Sequence, residues 1–322
     1  MLTITQTLDT FLNLIRGKEE GGPFSRFKSW EYCHLKFKEY KGFNRVLNDD
    51  EVDFLALHLS FYLASWGMYR GSSFILQRDY KTHRKIVRVV FQNKYDELWD
   101  YNPSNDNTTR MREIAELAKQ AYDEIDQAYR DEQNKIPERC FVDENGDINK
   151  PVSITLITKI LMGTFAVTPA YDRYFIDGAK CFKNNNPYFE EDGSRETFNG
   201  SYGSDKKFSS SLVKLFIFAK KHREELNTAD DTTSFNYPIM KKVDMYFWEV
   251  GYEYGFYSLL NKKRNESDGK LDENGNIKDT KSQKSFQKNI GQISILFPYE
   301  VDDETSDLEK MNHLIPFFGS RF

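Results

Sequence analysis

The chain has 322 residues, of which 39% are hydrophobic and 30% are charged, and its formal net charge is −5. This composition excludes a wholly disordered chain, and the acidic balance argues against a protein coated with cations for binding nucleic acid. No apolar run approaches the ~18–20 residues of a membrane span, and three scattered cysteines offer no metal-ligand spacing with the five histidines.

The first part of the chain is predicted to be helical. Residues 4–16 show helical apolar spacing and lack the basic start and small-residue cleavage site of a signal peptide, so we expect a helix there. The odd number of scattered cysteines is typical of a reducing compartment, so we expect a cytoplasmic protein. Residues 24–41 are aromatic and basic and favour a second helix. Asn48-Asp49-Asp50-Glu51 is typical of a helix cap and precedes a long apolar helix.

That apolar helix runs into a segment rich in glycine and serine, Trp66-Gly67-Met68-Tyr69-Arg70-Gly71-Ser72-Ser73. Each glycine costs a helix about 0.5–1 kcal/mol relative to alanine, so we expect a break near Gly67 or Gly71. Close helix packing or the floor of a pocket would offset this cost. In a pocket, Trp66 and Tyr69 would stack on a ligand and Arg70 would contact a phosphate or a carboxylate.

The densest basic segment lies between residues 78 and 88, in a helix predicted over 81–99. Several of its cations would point outward together and would suit a row of backbone phosphates. A solvated helix face without a partner is the alternative interpretation. The residues predicted to contact a nucleic-acid backbone here are Arg78, Lys81, Arg84 and Lys85.

The same segment carries Arg78 and His83 with four residues between them. This spacing resembles the Arg-x4-6-His motif of HEPN ribonucleases, in which the two side chains act on the RNA phosphodiester, usually across a dimer. The resemblance implies ribonuclease activity as an alternative function.

Further along, residues 102–107 favour a loop and residues 109–130 a surface helix. The Asp-Glu-Asn-Gly sequences at 143–146 and 272–275 lie between apolar residues and predict tight hairpin turns. Their spacing does not match an EF-hand loop, so calcium is not expected.

The most informative stretch is 153–175, SITLITKILMGTFAVTPAYDRYF. An apolar helix pattern is followed by a short turn, by Pro169 and by an aspartate between two tyrosines. Pro169 cannot continue the preceding helix but is well suited to open the next one, so we expect Asp172 in the first turn of a new helix. There its carboxylate lies near unpaired N–H groups. It either supports the helix start or acts as an ionised group that orients water or stabilises positive charge.

The order of helix, turn, proline and aspartate over about 145–180 resembles the end of the helix-hairpin-helix (HhH-GPD) signature of DNA base-excision glycosylases. That family places its catalytic aspartate just after such a turn, which implies that Asp172 is catalytic. Ser153 stands where bifunctional members carry a nucleophilic lysine, and Lys150 and Lys159 are out of step with it. The resemblance therefore implies a monofunctional enzyme that uses water and leaves an abasic site. The family's Gly-x-Gly hairpin is missing from 145–151, so this element is remodelled or absent.

The resemblance also implies a substrate and its contacts. The substrate is DNA carrying a modified or damaged base, in DNA repair or in defence against phage, and no cofactor is needed. Lys150 and Ser153 would join the contacts to the DNA backbone. The extruded base would enter a pocket lined by Trp66, Tyr69, Tyr171 and Tyr174, with Arg70 as a further contact. A third hypothesis is a non-enzymatic helical interaction protein in which all these features are packing.

The rest of the chain continues the helical pattern. Helices are predicted at about 208–226 and 238–262, and exposed loops over 183–210 and 263–285. Asp244 and Glu249 are expected to pair with Arg70 or Arg173. The predicted fold is mainly α: one domain over 1–322 with two lobes, a cleft and one or two short β-hairpins.

Overall fold

The computed structural model describes residues 3–16, 25–70, 74–135, 152–185, 188–189, 195–196, 205–228, 235–267, 271–296 and 305–319. In these ranges the chain is mainly α-helical, which confirms the predicted fold class. The helices are α1 (Ile4–Arg16), α2 (Ser29–Gly42), α3 (Asp49–Ser65), α4 (Arg84–Val90), α5 (Thr108–Gln133), α6 (Ile154–Thr164), α7 (Arg173–Asn185), α8 (Phe208–Lys221), α9 (Arg223–Thr228), α10 (Ile239–Ser267), α11 (Thr280–Leu296) and α12 (Asp307–Gly319). Strands β1 (Tyr188–Phe189) and β2 (Arg195–Glu196) form an antiparallel pair.

Several helix ends follow the local sequence signals. Asn48 accepts a hydrogen bond from the Glu51 backbone while the Glu51 side chain accepts one from the Asn48 backbone, which is the predicted capping box of α3. This helix ends at Ser65, and Gly67 follows with φ +72°, a conformation that glycine adopts readily. The expected break near Gly67 is therefore confirmed.

Other boundaries differ from the sequence prediction. The helix predicted over 81–99 consists of a 3-10 turn at Tyr80–His83, the short α4 and a second 3-10 segment at Asn93–Leu98. The β-branched residues of α4 have modest helix propensity, and tertiary packing of their buried side chains decides the backbone path. The loop predicted over 263–285 is also wrong in part, because α10 extends to Ser267 and α11 begins at Thr280.

The predicted Asn-Gly hairpin turn at 272–275 is confirmed. Leu271 and Ile277 form an antiparallel bridge, and Gly275 between them has φ +80°. The matching turn at 143–146 lies outside the described residues.

Within the described residues, buried apolar side chains form two clusters. The larger cluster takes residues from α1 through the first part of α10, and the smaller one joins the second part of α10 to α11 and α12. Helix α10 therefore carries side chains of both. At its closest packing, α10 crosses α7, the helix that begins directly after Asp172.

Candidate functional site

Asp172 lies at the start of α7, one residue before the helix rather than in its first turn. Its Oδ1 accepts a hydrogen bond from the backbone N–H of Phe175 at 3.1 Å, so the carboxylate caps the helix. The unpaired N–H groups at this terminus favour a negative charge. The prediction that Pro169 opens this helix is wrong, because α7 begins only at Arg173 and Asp172 lies directly before it.

A buried lysine from α6 holds the other oxygen of Asp172. Lys159 Nζ lies 2.9 Å from Asp172 Oδ2, and the lysine side chain is only 3% exposed whereas Asp172 is 16% exposed. An unpaired ammonium at that depth would be strongly destabilising, so Asp172 serves as its counter-ion. The sequence prediction considered Lys159 only as a nucleophile out of step with the family pattern.

A second buried pair lies beside the first. Lys241 Nζ is 2.6 Å from Asp244 Oδ2, and Asp244 Oδ1 accepts a hydrogen bond from the Ala170 N–H at 2.9 Å. Asp244 thereby ties α10 to the turn that precedes Asp172. The prediction that Asp244 pairs with Arg70 or Arg173 is wrong, because Lys241, one turn earlier on α10, takes that position.

The indole of Trp66 lies against both lysines. Lys159 Nζ is 4.7 Å from the ring centroid and Lys241 Nζ is 5.8 Å from it, distances typical of cation–π contacts. We refer to Trp66 with the pairs Lys159–Asp172 and Lys241–Asp244 as the Trp66 charge cluster. Trp66 thus lies near Asp172 through contacts with lysines, and neither lysine was predicted to contact it.

An aromatic groove of about 700 Å³ lies between α7 and α10, next to this cluster. Tyr174 contacts Trp248 edge to face at 5.1 Å, and Trp248 stacks on Tyr252 at 4.8 Å. The guanidinium of Arg173 lies 4.7 Å over the Tyr174 ring. Since Arg173 and Tyr174 directly follow Asp172, the groove starts at the end of α7 where that carboxylate lies.

Two of the tyrosines predicted to line the base pocket lie elsewhere. Tyr171 is fully buried and stacks on Phe175 at 5.4 Å, and burial raises the pKa of its hydroxyl. Tyr69 bonds through its hydroxyl to Ser60 at 2.9 Å and to His83 Nε2 at 2.5 Å. Tyr171 is thus a packing residue, and Tyr69 belongs to a separate polar network.

His83 is the centre of that network. Its Nδ1 lies 2.7 Å from the hydroxyl of Tyr129, so each ring nitrogen faces a tyrosine, and the side chain is fully buried. Burial lowers the pKa of His83 to about 3, which keeps the ring neutral. The HEPN resemblance requires Arg78 and His83 to lie together in an exposed cleft. His83 is instead buried between two tyrosines.

The cations of the basic segment are largely engaged by acids of the same chain. Arg78 pairs with Glu132 at 3.1 Å, Arg84 with Asp53 at 3.0 Å, and Lys85 with Glu132 at 3.5 Å. Such pairing reduces the positive potential available to a phosphate backbone.

The remaining predicted contacts are dispersed. Lys81 is exposed and makes no ion pair within the described residues, and Arg70 is exposed with its guanidinium against Gly67. Ser153 caps α6 by accepting the Leu156 N–H at 3.1 Å, and Lys150 lies outside the described residues.

An apolar face on α2 and α3 is the feature most relevant to the hypothesis of an interaction protein. Its large exposed side chains are Tyr32, Leu35, Phe54, Leu57 and Phe61. Extended apolar patches of this kind are uncommon on proteins without partners.

Comparison of the chain with protein-family models, with curated proteins and with solved structures gave no match. Within the described ranges, no helix combines the length and apolar character needed to cross a membrane. No group of three or more His, Cys, Asp or Glu side chains in these ranges is arranged to hold a metal ion.

Proposed function

We propose that this protein is a DNA glycosylase-like hydrolase in which Asp172 is the catalytic carboxylate. The observation that carries the proposal is the placement of Asp172: a partly exposed carboxylate at a helix N-terminus, beside an aromatic groove and paired with a buried lysine. The substrate would be DNA carrying a modified or damaged base, in repair or in defence against phage.

The chemistry follows from this placement. When the N-glycosidic bond breaks, its electron pair leaves with the base and positive charge develops on the sugar. An ionised carboxylate beside the sugar stabilises that charge and directs a water to the anomeric carbon. Water supplies hydroxide to the sugar and a proton to the base, and an abasic site remains.

Lys159 has two opposing effects in this scheme. Its contact with Oδ2 orients the carboxylate, but its positive charge also offsets part of the field that a developing cation would experience. The other carboxylate oxygen, Oδ1, accepts its hydrogen bond from the Phe175 N–H instead. The competing interpretation is that Asp172 serves only to neutralise Lys159 and to cap α7.

Asp172→Asn is expected to abolish base release, because the amide keeps the shape and the capping oxygen but not the charge. The variant also leaves Lys159 without a counter-ion, which should cost on the order of 3 kcal/mol of unfolding free energy. Base release would be measured on oligonucleotides carrying single modified or damaged bases, with alkali used to cut at abasic sites. Stability would be measured by chemical denaturation.

The double variant Lys159→Met with Asp172→Asn separates catalysis from folding. It removes both charges, so it should regain much of the stability that Asp172→Asn loses while remaining inactive. If the double variant releases base at the wild-type rate, Asp172 is a structural residue and the proposal fails. Borohydride should trap no protein–DNA adduct, since the two lysines of the Trp66 charge cluster, Lys159 and Lys241, are buried and ion-paired.

The HEPN-like alternative is less well supported. General acid–base catalysis needs an imidazole that reaches the substrate, and His83 is buried with hydrogen-bond partners at both nitrogens.

A further inference from the structure

The α7–α10 groove combines aromatic rings with the cations Arg173 of α7 and Lys262 of α10. Its walls include Tyr174 and Tyr252, which are half-buried, and Tyr254, which is 38% exposed. The acid of the groove, Asp177, pairs with Lys180 at 3.4 Å, so its charge is partly offset.

The length of the groove indicates an extended ligand. Trp248 and Lys262 are fourteen positions apart on one helix, which at 1.5 Å per residue is about 20 Å. A span of this size exceeds a single nucleotide and suits a short stretch of a nucleic-acid chain. Several rings together with cations over such a distance suit a strand with exposed bases, because bases stack on rings and phosphates face cations.

We propose that the α7–α10 groove binds single-stranded nucleic acid, with bases on Tyr174, Tyr252 and Tyr254 and backbone phosphates near Arg173 and Lys262. A duplex would present its phosphates but hide the faces of its bases, so its bases could not stack on the tyrosines of the groove. The engagement of Arg78, Arg84 and Lys85 by neighbouring acids points the same way, since these cations offer little to a duplex backbone.

The groove also lies where the proposed chemistry needs a strand. Arg173 and Tyr174 are contiguous with Asp172, so a strand along the groove places one nucleotide at the mouth of the Trp66 charge cluster. This last step rests on the proposed function, and it makes an unpaired strand the preferred substrate. The binding itself does not depend on catalysis.

Fluorescence anisotropy with a labelled oligothymidine of about ten nucleotides tests the inference. The wild-type protein should bind this strand more tightly than a duplex of the same length. Tyr254→Ala should weaken binding about tenfold, because one stacking platform is lost. Arg173→Gln should weaken binding and reduce the salt slope by about 0.7, the value for one phosphate contact to a single strand.

Arg112→Gln is the matched control for Arg173→Gln. Arg112 is exposed on α5, away from the groove, and the same charge is removed, so its affinity and salt slope should equal those of the wild type. Circular dichroism melts would establish that each variant is folded. An oligouridine of the same length distinguishes DNA from RNA as the preferred strand.

Two outcomes would overturn the inference. One is equal affinity in the Tyr254→Ala, Arg173→Gln and Arg112→Gln proteins. The other is a preference for duplex that is lost in Lys81→Gln, which would place binding on the basic segment. Binding that depends on Arg173 in a protein without base release supports the groove and counts against the glycosylase. Base release at the wild-type rate in both Tyr254→Ala and Arg173→Gln supports the glycosylase and counts against the groove as its strand-binding site.

Discussion

His83 illustrates how burial changes the chemistry of a residue. In the sequence it is a histidine beside several cations, a pattern that resembles a nuclease motif. In the fold its two ring nitrogens bond to Tyr69 and Tyr129, and the ring is removed from water. The imidazole therefore stabilises the packing of α5 against the segment after α3 in its neutral form.

The burial of His83 has a consequence for stability at low pH. Its pKa is about 3 in the folded chain and 6.5 in an unfolded one. Between these values only the unfolded state takes up the proton, so stability is complete above pH 6.5 and falls as the pH decreases. We expect His83 to contribute a loss of about 1.4 kcal/mol for each pH unit in this window.

Urea denaturation of wild type and His83→Gln at several pH values between 4 and 7 measures this contribution. Other titrating groups contribute equally to both proteins, so the difference between the two unfolding free energies isolates His83. That difference should shrink as the pH falls. A pH-independent difference would mean that His83 titrates alike in the folded and unfolded states, so that burial does not lower its pKa.

The candidate site shows what residue patterns can and cannot predict. The position of Asp172 at a helix start follows from its own carboxylate, which accepts the Phe175 N–H three residues later and so caps α7 through a local hydrogen bond. The lysines of the Trp66 charge cluster are predicted by no local rule, because Lys159 meets Asp172 only after α6 and α7 pack together. Lys241 comes from a helix some seventy residues later in the chain.

At the level of elements, the crossing of α7 and α10 depends on two glycines. A Cβ atom on Gly178 would overlap the carbonyl oxygen of Phe247, and one on Gly251 would overlap the carbonyl oxygen of Tyr174. The two backbones are therefore in direct contact at this crossing. The same contact sets the width of the groove and the position of the helix that Asp172 caps.

Gly178→Ala and Gly251→Ala should each destabilise the protein by about 3 kcal/mol or more, because the clash is with backbone and no side chain can move aside. Gly255→Ala is the matched control one turn further along α10. Its Cβ would lie 3.8 Å from the nearest heavy atom, an ordinary contact of the Tyr174 ring. This variant should gain about 0.5–1 kcal/mol from helix propensity.

Thermal denaturation of the three variants would measure these effects. Equal stability of Gly178→Ala and Gly255→Ala would show that the helices are farther apart than described.

Helix prediction succeeded where local signals were strong and failed where packing decides. The capping box at Asn48 and the glycine after α3 mark their boundaries by hydrogen bonding and backbone freedom alone. The polar stretch at 263–285 was predicted as a loop from its composition. Asp279, however, accepts the Ser282 N–H at 2.7 Å and begins α11, which then buries Phe286 and Ile290.

At the level of the whole molecule, the part of the chain that the structure describes contains two apolar clusters, and α10 links them. The smaller cluster holds α11 and α12, with Phe256 of α10 stacked on Phe318 of α12 at 5.9 Å. Because each cluster has its own buried side chains, we expect the C-terminal part to open locally at a lower free energy than the rest.

Phe318→Ala should lower the free energy of unfolding of the smaller cluster by about 3 kcal/mol or more, since this ring is fully buried. Hydrogen exchange should then accelerate in α11 and α12 and stay unchanged in α5 and α6. His313→Ala, an exposed position on the same helix, is the control. Faster exchange in α5 as well would show that the two clusters unfold as one unit.

The amino-acid sequence alone determined the mainly helical class, the start and end of α3, the hairpin turn at 272–275 and a helix start at Asp172. These features depend on steric and hydrogen-bonding effects among residues a few positions apart. Only the tertiary structure decided that Asp172 pairs with Lys159, that His83 is buried and neutral, and that Gly178 and Gly251 bring two helices into backbone contact. Those outcomes depend on which distant side chains share the same low-dielectric interior, and this is set by the packing of the whole chain.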